Sequence, residues 1–302
     1  METKDKVWLE QIETLRRERN AIILAHNYQR PEIQDVADFT GDSLELSRKA
    51  AALDNPVIVF CGVYFMAETA AILAPDRTVL LPDPKAGCPM ADMIDAAALR
   101  AAKAEHPDAT VVCYVNSSAA VKAECDVCCT SGNAERVVSS IKGDILFVPD
   151  RHLGDWVGRK LGRKMILWDG FCPTHARISA RQIIKAREEY PGALVLAHPE
   201  CSSEVVDIAD EVLSTGGMLQ YAKKSDATNF ILATELGILH RLQKENPGKQ
   251  FHAVTSNTVC PNMKKITLEK VAQSLEHNHA VITVPEPTAS RARLSLERML
   301  AL

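Results

Sequence analysis

Short apolar runs, each closed by polar residues, recur along this chain in a fixed order. The runs IILAHNYQ (22–29), TVVCYVNSS (110–118) and LVLAHPECS (194–202) read as buried parallel strands that deliver polar side chains at their carboxyl ends. Each is followed by a helical stretch and a second strand: NPVIVFCGV (55–63), GDILFVPD (143–150) and TNFILATE (228–235). Another helical stretch leads to a third strand: TVLLPDP (78–84), KMILWDG (164–170) and QFHAVTS (250–256). Every segment then arrives at a Cys-Pro pair: Cys88-Pro89, Cys172-Pro173 and Cys260-Pro261, 84 and 88 residues apart. One βαβαβ unit is therefore used three times, and right-handed crossovers wind each copy into a small parallel sheet flanked by helices. The pattern predicts an α/β chain of three similar αβα-layered domains, which would be related by a pseudo-threefold axis if the units sit around a common one. The expected units are 1–90, 91–174 and 175–302.

Polar residues keep register through the three copies. Aligning the first strands pairs His26, Tyr114 and His198, and two residues later Tyr28, Asn116 and Glu200. Seventeen residues past the first set stand Ser43, Ser131 and Thr215, in the contexts TGDS, CTSGN and STGG. From that first set the cysteines follow at 62, 58 and 62 residues. Ligands of such sheets collect at the carboxyl ends of the strands. A Ser or Thr beside glycine at a helix start either caps the helix or helps its free N–H groups hold an anion. The shared register favours a common anion-binding role. If the units share an axis, Cys88, Cys172 and Cys260 meet on it. Three thiolates with no fourth suggest an iron–sulfur cluster with one open iron, able to polarise oxygen and ease the departure of hydroxide. Glu200 or Tyr28 beside it could act as a base, and neutral His and Tyr side chains could orient carboxylates.

Composition narrows the classes. With 302 residues there is length for two or three cored domains. A net charge of −4 with both signs interspersed leaves no basic stripe, which excludes nucleic acid as the expected partner. No apolar run approaches membrane length and the start METKDKVWLE carries no signal-peptide core, so a cytoplasmic protein is expected. Nine cysteines in such a chain point to metal or catalytic use rather than disulfides. Cys61 and Cys113 sit inside apolar strands and read as structural. Cys125, Cys128 and Cys129 in ECDVCCTSGN compete as a redox or metal motif, but the Cys-x-x-Cys spacing occurs once, with no second pair. His106, His240, His277 and His279 lack the strand-end position that singles out His26 and His198.

The combination LAHNYQ, GCPMADM, YVNSSAAVKAECDVCCTSGNA, WDGFCPTH, LAHPEC, STGGM and CPNM resembles the quinolinate synthase family, the A protein of bacterial and plant NAD biosynthesis, over essentially the whole chain. The resemblance implies three αβα-sandwich domains around a central [4Fe-4S] cluster held by Cys88, Cys172 and Cys260, with Cys201 not a ligand. It implies a transferase that condenses iminoaspartate with dihydroxyacetone phosphate to quinolinate, phosphate and water. The substrate residues it implies are His26, Tyr28, Ser43, Tyr114, Asn116, Ser131, His198, Glu200, Ser214 and Thr215. Tyr28, His198 and Glu200 are the catalytic candidates among them, and His175 approaches the cluster. Iminoaspartate would come from an aspartate oxidase or dehydrogenase, for which no docking surface is legible. Two other readings share the three-cysteine plan: a diphthamide-type radical enzyme using S-adenosylmethionine, and a non-catalytic iron–sulfur sensor. A sensor has little use for a ring of His, Tyr and Glu at strand ends.

Overall fold

Twelve strands form three four-stranded, all-parallel sheets in the computed structural model, which describes residues 3–302. In chain order they are β1 (Ala21–His26), β2 (Phe39–Gly41), β3 (Val57–Cys61), β4 (Thr78–Leu80), β5 (Thr110–Tyr114), β6 (Val127–Cys129), β7 (Ile145–Val148), β8 (Ile166–Leu167), β9 (Leu194–Ala197), β10 (Glu211–Val212), β11 (Asn229–Ala233) and β12 (Gln250–Ala253). The sheet orders are β2-β1-β3-β4, β6-β5-β7-β8 and β10-β9-β11-β12, the same arrangement three times. Each sheet holds one strand more than the apolar pattern indicates. The addition is the edge strand β2, β6 or β10, whose two or three residues are too few to show a period.

The repeat reaches hydrogen bonds that no motif advertises. Asp38, Asp126 and Asp210 each accept the N–H of a first-strand residue fifteen positions earlier, Ile23, Val111 and Val195, at 2.7–2.8 Å. They tie the start of each edge strand to its central neighbour. After β3, β7 and β11 the next turn is fastened to the cysteine loop. Tyr64 N–H donates to the Ala86 carbonyl (2.7 Å), Arg151 to Gly170 (2.9 Å) and Leu236 to Thr258 (3.0 Å). Each acceptor lies two residues before its cysteine. Gly170 is required there, since a Cβ would stand 2.4 Å from the Pro149 carbonyl oxygen.

In every sheet the first strand lies between its successor on one side and the third strand on the other. The loops leaving the first and third strands therefore diverge, and a crevice opens at their carboxyl ends. The central strands are buried along nearly their whole length. The end of the chain closes the assembly. Helix Leu268–His277 packs on helix Thr3–Glu18 and β3 of the first sheet. Helix Thr288–Ala301 lies over β6 and helices Ala119–Lys122 and Tyr64–Leu73. Segment 266–302 thus braces the first two sheets although it follows the third. No described helix is long and apolar enough to cross a membrane.

Candidate active site

The three crevices open into one cavity of about 70 Å³. The strand-end residues His26, Tyr28, Tyr114, Asn116, His198 and Glu200 line it, as do Ser43, Ser131 and Thr215. So do Cys88, Cys172 and Cys260, while none of the other six cysteines does. Ser214 is the exception among the expected substrate residues. Its Oγ accepts the Gly217 N–H (3.1 Å) as the cap of helix Thr215–Lys224 and donates to Asp42 Oδ2 (3.3 Å). In the first unit Asp42, rather than Ser43, makes the capping box of helix Ser43–Ala52, so Ser43 is free to face the cavity. Val63, Phe65, Met66, Met90 and Met263 supply apolar wall, which the polar alignment passes over.

Each cysteine sits on the same local device. The following proline has no N–H and a fixed φ, and a short 3₁₀ turn begins at the third residue: Ala91–Met93, His175–Arg177 and Met263–Lys265. The turn aims backbone donors at sulfur. Met90 and Ala91 donate to Cys88, His175 to Cys172, and Asn262 with Met263 to Cys260. Burial pushes the Cys88 thiol up to about 12 and raises Cys172 and Cys260 as well. The thiolate forms therefore need a positive group among them, and metal binding would expel their protons. Free thiols converging from three units, each already given N–H donors, fit a thiolate-held iron–sulfur group.

A second donor set is present. Cys172 Sγ, a ring nitrogen of His175 and a carboxylate oxygen of Glu200 lie within 4.8 Å of one another. A single ion there would leave Cys88 and Cys260 idle and would compete for Glu200 with partners it already has. Glu200 Oε2 lies 2.7 Å from His175 Nδ1, and Oε1 accepts from the Tyr114 hydroxyl and from Asn116 Nδ2 (3.4 Å). Burial acts to raise the Glu200 carboxyl, but the hydrogen bonds it receives from His175 and Tyr114 hold it below the usual carboxylate range. It is ionised.

The imidazoles at the strand ends are fixed in one tautomer. His26 Nδ1 accepts the Tyr28 N–H (3.1 Å), and His198 Nδ1 accepts the Glu200 N–H (3.3 Å). Each neutral ring therefore carries its hydrogen on Nε2, available as a donor. Burial lowers both pKa values to about 3. A base whose folded pKa is depressed takes up its proton first in the unfolded chain. The stability of the neutral rings is complete above about pH 6.5 and is lost as pH falls from there towards 3. At pH 5 the loss is about 2 kcal/mol per ring. Denaturant unfolding at pH 7 and pH 5 should show this slope, and the double variant His26→Gln/His198→Gln should lack it. An unchanged slope would mean the rings charge freely in the folded protein.

Three residues essential to the arrangement escape the sequence pattern. Thr234, just past β11, accepts at Oγ1 from the Tyr28 hydroxyl (2.6 Å) and lies 2.9 Å from His175 Nε2. Since Glu200 can only accept, Nδ1 of His175 is the donor to it. For a neutral ring Nε2 then accepts from Thr234, and a directed chain runs Tyr28, Thr234, His175, Glu200. Asp150 and Glu235 occupy equivalent places beyond β7 and β11; Glu235 Oε1 accepts the N–H of Cys260 (3.1 Å), and Asp150 Oδ1 those of His152 and Leu153 (2.8 and 2.9 Å). Burial raises both phenols, Tyr28 and Tyr114, well above 10, so they are donors at neutral pH. The thiols of Cys113, Cys125 and Cys128 lie apart from the cavity and pair with Ser117 (3.0 Å), the Val121 carbonyl (3.0 Å) and Ser295 (3.3 Å). Cys201 is buried against the Ala233 carbonyl.

Residues 10–301 match the family described as NadA, quinolinate synthetase A protein. The chain is 57% identical over 290 residues to a quinolinate synthase of Dehalococcoides mccartyi strain CBDB1, covering 96% of both chains. It is 55% identical over 294 residues to that of Methanoregula boonei, covering 97% of both. The similarity to that of Desulforudis audaxviator is 55% over the full length of both chains.

Proposed function

The chain belongs to the quinolinate synthetase A family, and on that premise we propose that it condenses iminoaspartate with dihydroxyacetone phosphate, releasing quinolinate, phosphate and two waters. The observation that carries this reading is the division of one cavity into three free cysteines and a facing set of hydroxyl, imidazole and carboxylate groups. Cys88, Cys172 and Cys260 would hold a [4Fe-4S] cluster, one per chain. When bound, its open iron supplies Lewis acidity towards a leaving hydroxyl.

The remaining work falls to the side chains. His26 and His198, as neutral Nε2–H donors, and the hydroxyls of Ser43, Ser131 and Thr215 would bind the two carboxylates and the phosphate. The helix that starts at Thr215 adds the positive end of its dipole. Neutral donors are suited to this, because they hold carboxylates without themselves titrating near pH 7. The enamine form of iminoaspartate would attack the triose carbon as phosphate leaves. Asn116 Oδ1, a buried acceptor with no partner, would take an N–H of that enamine.

Ionised Glu200 would collect the carbon-bound proton during the keto–aldose isomerisation, and the Tyr28 phenol would deliver one to a departing oxygen. Tyr28, Thr234, His175 and Glu200 form one hydrogen-bonded chain, which holds the acid and the base in fixed relation to each other. The test is anaerobic incubation of iron-replete protein with dihydroxyacetone phosphate and iminoaspartate generated in place from L-aspartate. Quinolinate should form together with phosphate. Phosphate release without a pyridine product, or no turnover of either substrate, would overturn the reading.

A further inference from the structure

We propose that Arg241 and Asn27 lock the Thr215 hydroxyl as a hydrogen-bond donor into the cavity, making Arg241 a positioning residue for an acceptor-only substrate oxygen. The ligand is a carboxylate or phosphate oxygen, so the inference rests on the anionic substrates proposed above.

The polarity of each bond is forced. A guanidinium only donates, so the Asn27 atom 2.9 Å from Arg241 Nη1 must be its carbonyl oxygen. That settles the orientation of the amide, and Asn27 Nδ2 faces Thr215 Oγ1 at 3.0 Å. An amide nitrogen also only donates, so Thr215 must accept there. Its own hydrogen is left for another acceptor. Among the described residues Oγ1 has no other hydrogen-bond partner, and Thr215 lines the cavity. A substrate oxygen with lone pairs fits this position, and a substrate hydroxyl seeking an acceptor does not.

The lock is rigid. Asn27 is fully buried and Thr215 nearly so. Arg241 is held from two further sides, by the Thr40 carbonyl (2.6 Å) and by Glu245 Oε1 (2.6 Å). The device exists once, since Val115 and Pro199 take the place of Asn27 in the other two units. The side chains of Ser43 and Ser131 have no hydrogen-bond partner among the described residues and can serve as donor or acceptor. Of the three aligned hydroxyls, one is therefore preset. Its setting comes from the seam between the first and third units, because Asn27 and Thr40 belong to one and Thr215 and Arg241 to the other.

The experiment measures quinolinate binding by equilibrium dialysis to anaerobic, iron-replete protein, with the visible absorption of each sample as the check on its iron centre. Asn27→Asp is close to isosteric and leaves Arg241 a partner, but a carboxylate can only accept. Thr215 would then turn its hydrogen inward and show the ligand a lone pair. The Kd should rise about ten- to a hundredfold, as expected for losing a hydrogen bond to a charged group. Thr215→Val should cost a similar factor, and the double variant no more than about twofold beyond the weaker single one. Arg241→Met frees the amide to rotate and should raise Kd at least threefold, with KM moving more than kcat.

Unaltered binding in Asn27→Asp, or losses that multiply in the double variant, would overturn the proposal, the latter because it would mark simple charge repulsion. Should Asn27→Asp lose its iron centre, Arg241→Met decides alone, and an unchanged Kd there overturns it. If wild type binds no quinolinate, the functional reading fails and this inference with it. If wild type binds and the variants are indifferent, only the inference fails.

Discussion

Replacing Glu200 by Gln should lower quinolinate turnover by about a thousandfold while iron and sulfide contents stay at wild-type values. The size follows from the range of general-base contributions, about 10²–10⁴. The specificity follows from where Glu200 sits. It is four per cent exposed, receives Tyr114, Asn116 and His175, and makes no hydrogen bond to the loops that carry Cys88 and Cys260 among the described residues. A glutamine keeps the volume and can still accept at Oε1 from Tyr114. Its amide group then faces His175 Nδ1–H with two donors opposed, so the ring must turn or shift its proton. The chain to Tyr28 through Thr234 is broken at that point. Loss of the base and of the chain that orients Tyr28 act together, which is why the effect should exceed that of Thr234→Ser, where the hydroxyl persists. Near-normal turnover in Glu200→Gln would remove Glu200 from the base role. Loss of iron would instead show that Glu200 supports the Cys172 loop through His175.

What the sequence discloses and what it hides divide along a physical line. The buried first and third strands announce themselves because continuous apolar runs are the mark of strands covered on both faces. Residues at their carboxyl ends inherit that register, so His26, Tyr114 and His198 can be aligned before any coordinate is known. Edge strands such as Glu211–Val212 are two residues long, and their place is set by Asp210 gripping Val195, a contact between residues that carry no motif. Site residues that act through others are hidden for the same reason. Thr234 and Glu235 read as the tail of an apolar strand, and only the convergence of units brings Thr234 against Tyr28. Asn27 stands inside the legible motif LAHNYQ, yet its role depends on Arg241, 214 residues away. Ser214 shows the opposite failure. Its neighbour Thr215 faces the cavity, whereas Ser214 is spent on the helix cap, a distinction that one residue of helical phase decides.

Alanine at Cys88, Cys172 or Cys260 should each remove essentially all of the roughly four irons expected per chain in protein purified without oxygen. A triple alanine variant at Cys125, Cys128 and Cys129 should retain them. The contrast rests on location and on local donors. The first three thiols share one cavity, each at the mouth of a 3₁₀ turn whose N–H groups point at sulfur. The second set lies elsewhere, with Cys125 donating to the Val121 carbonyl (3.0 Å), Cys128 against Ser295 (3.3 Å) and Cys129 buried in β6. Why a single loss should be total also follows. A cluster held by three thiolates already has one iron without protein sulfur, and a second such iron leaves half the cluster open to solvent. No nearby cysteine can take over, since Cys201 is turned to the Ala233 carbonyl and lines no part of the cavity. Iron lost only from the triple variant would place the metal under helix Thr288–Ala301, beside Ser295. Cys88, Cys172 and Cys260 would then be half-buried thiols without a cation, and Lewis-acid help for the dehydrations would have to be abandoned. Iron lost from Cys172→Ala alone would favour the trio of Cys172, His175 and Glu200, a single-ion site at the same wall of the cavity.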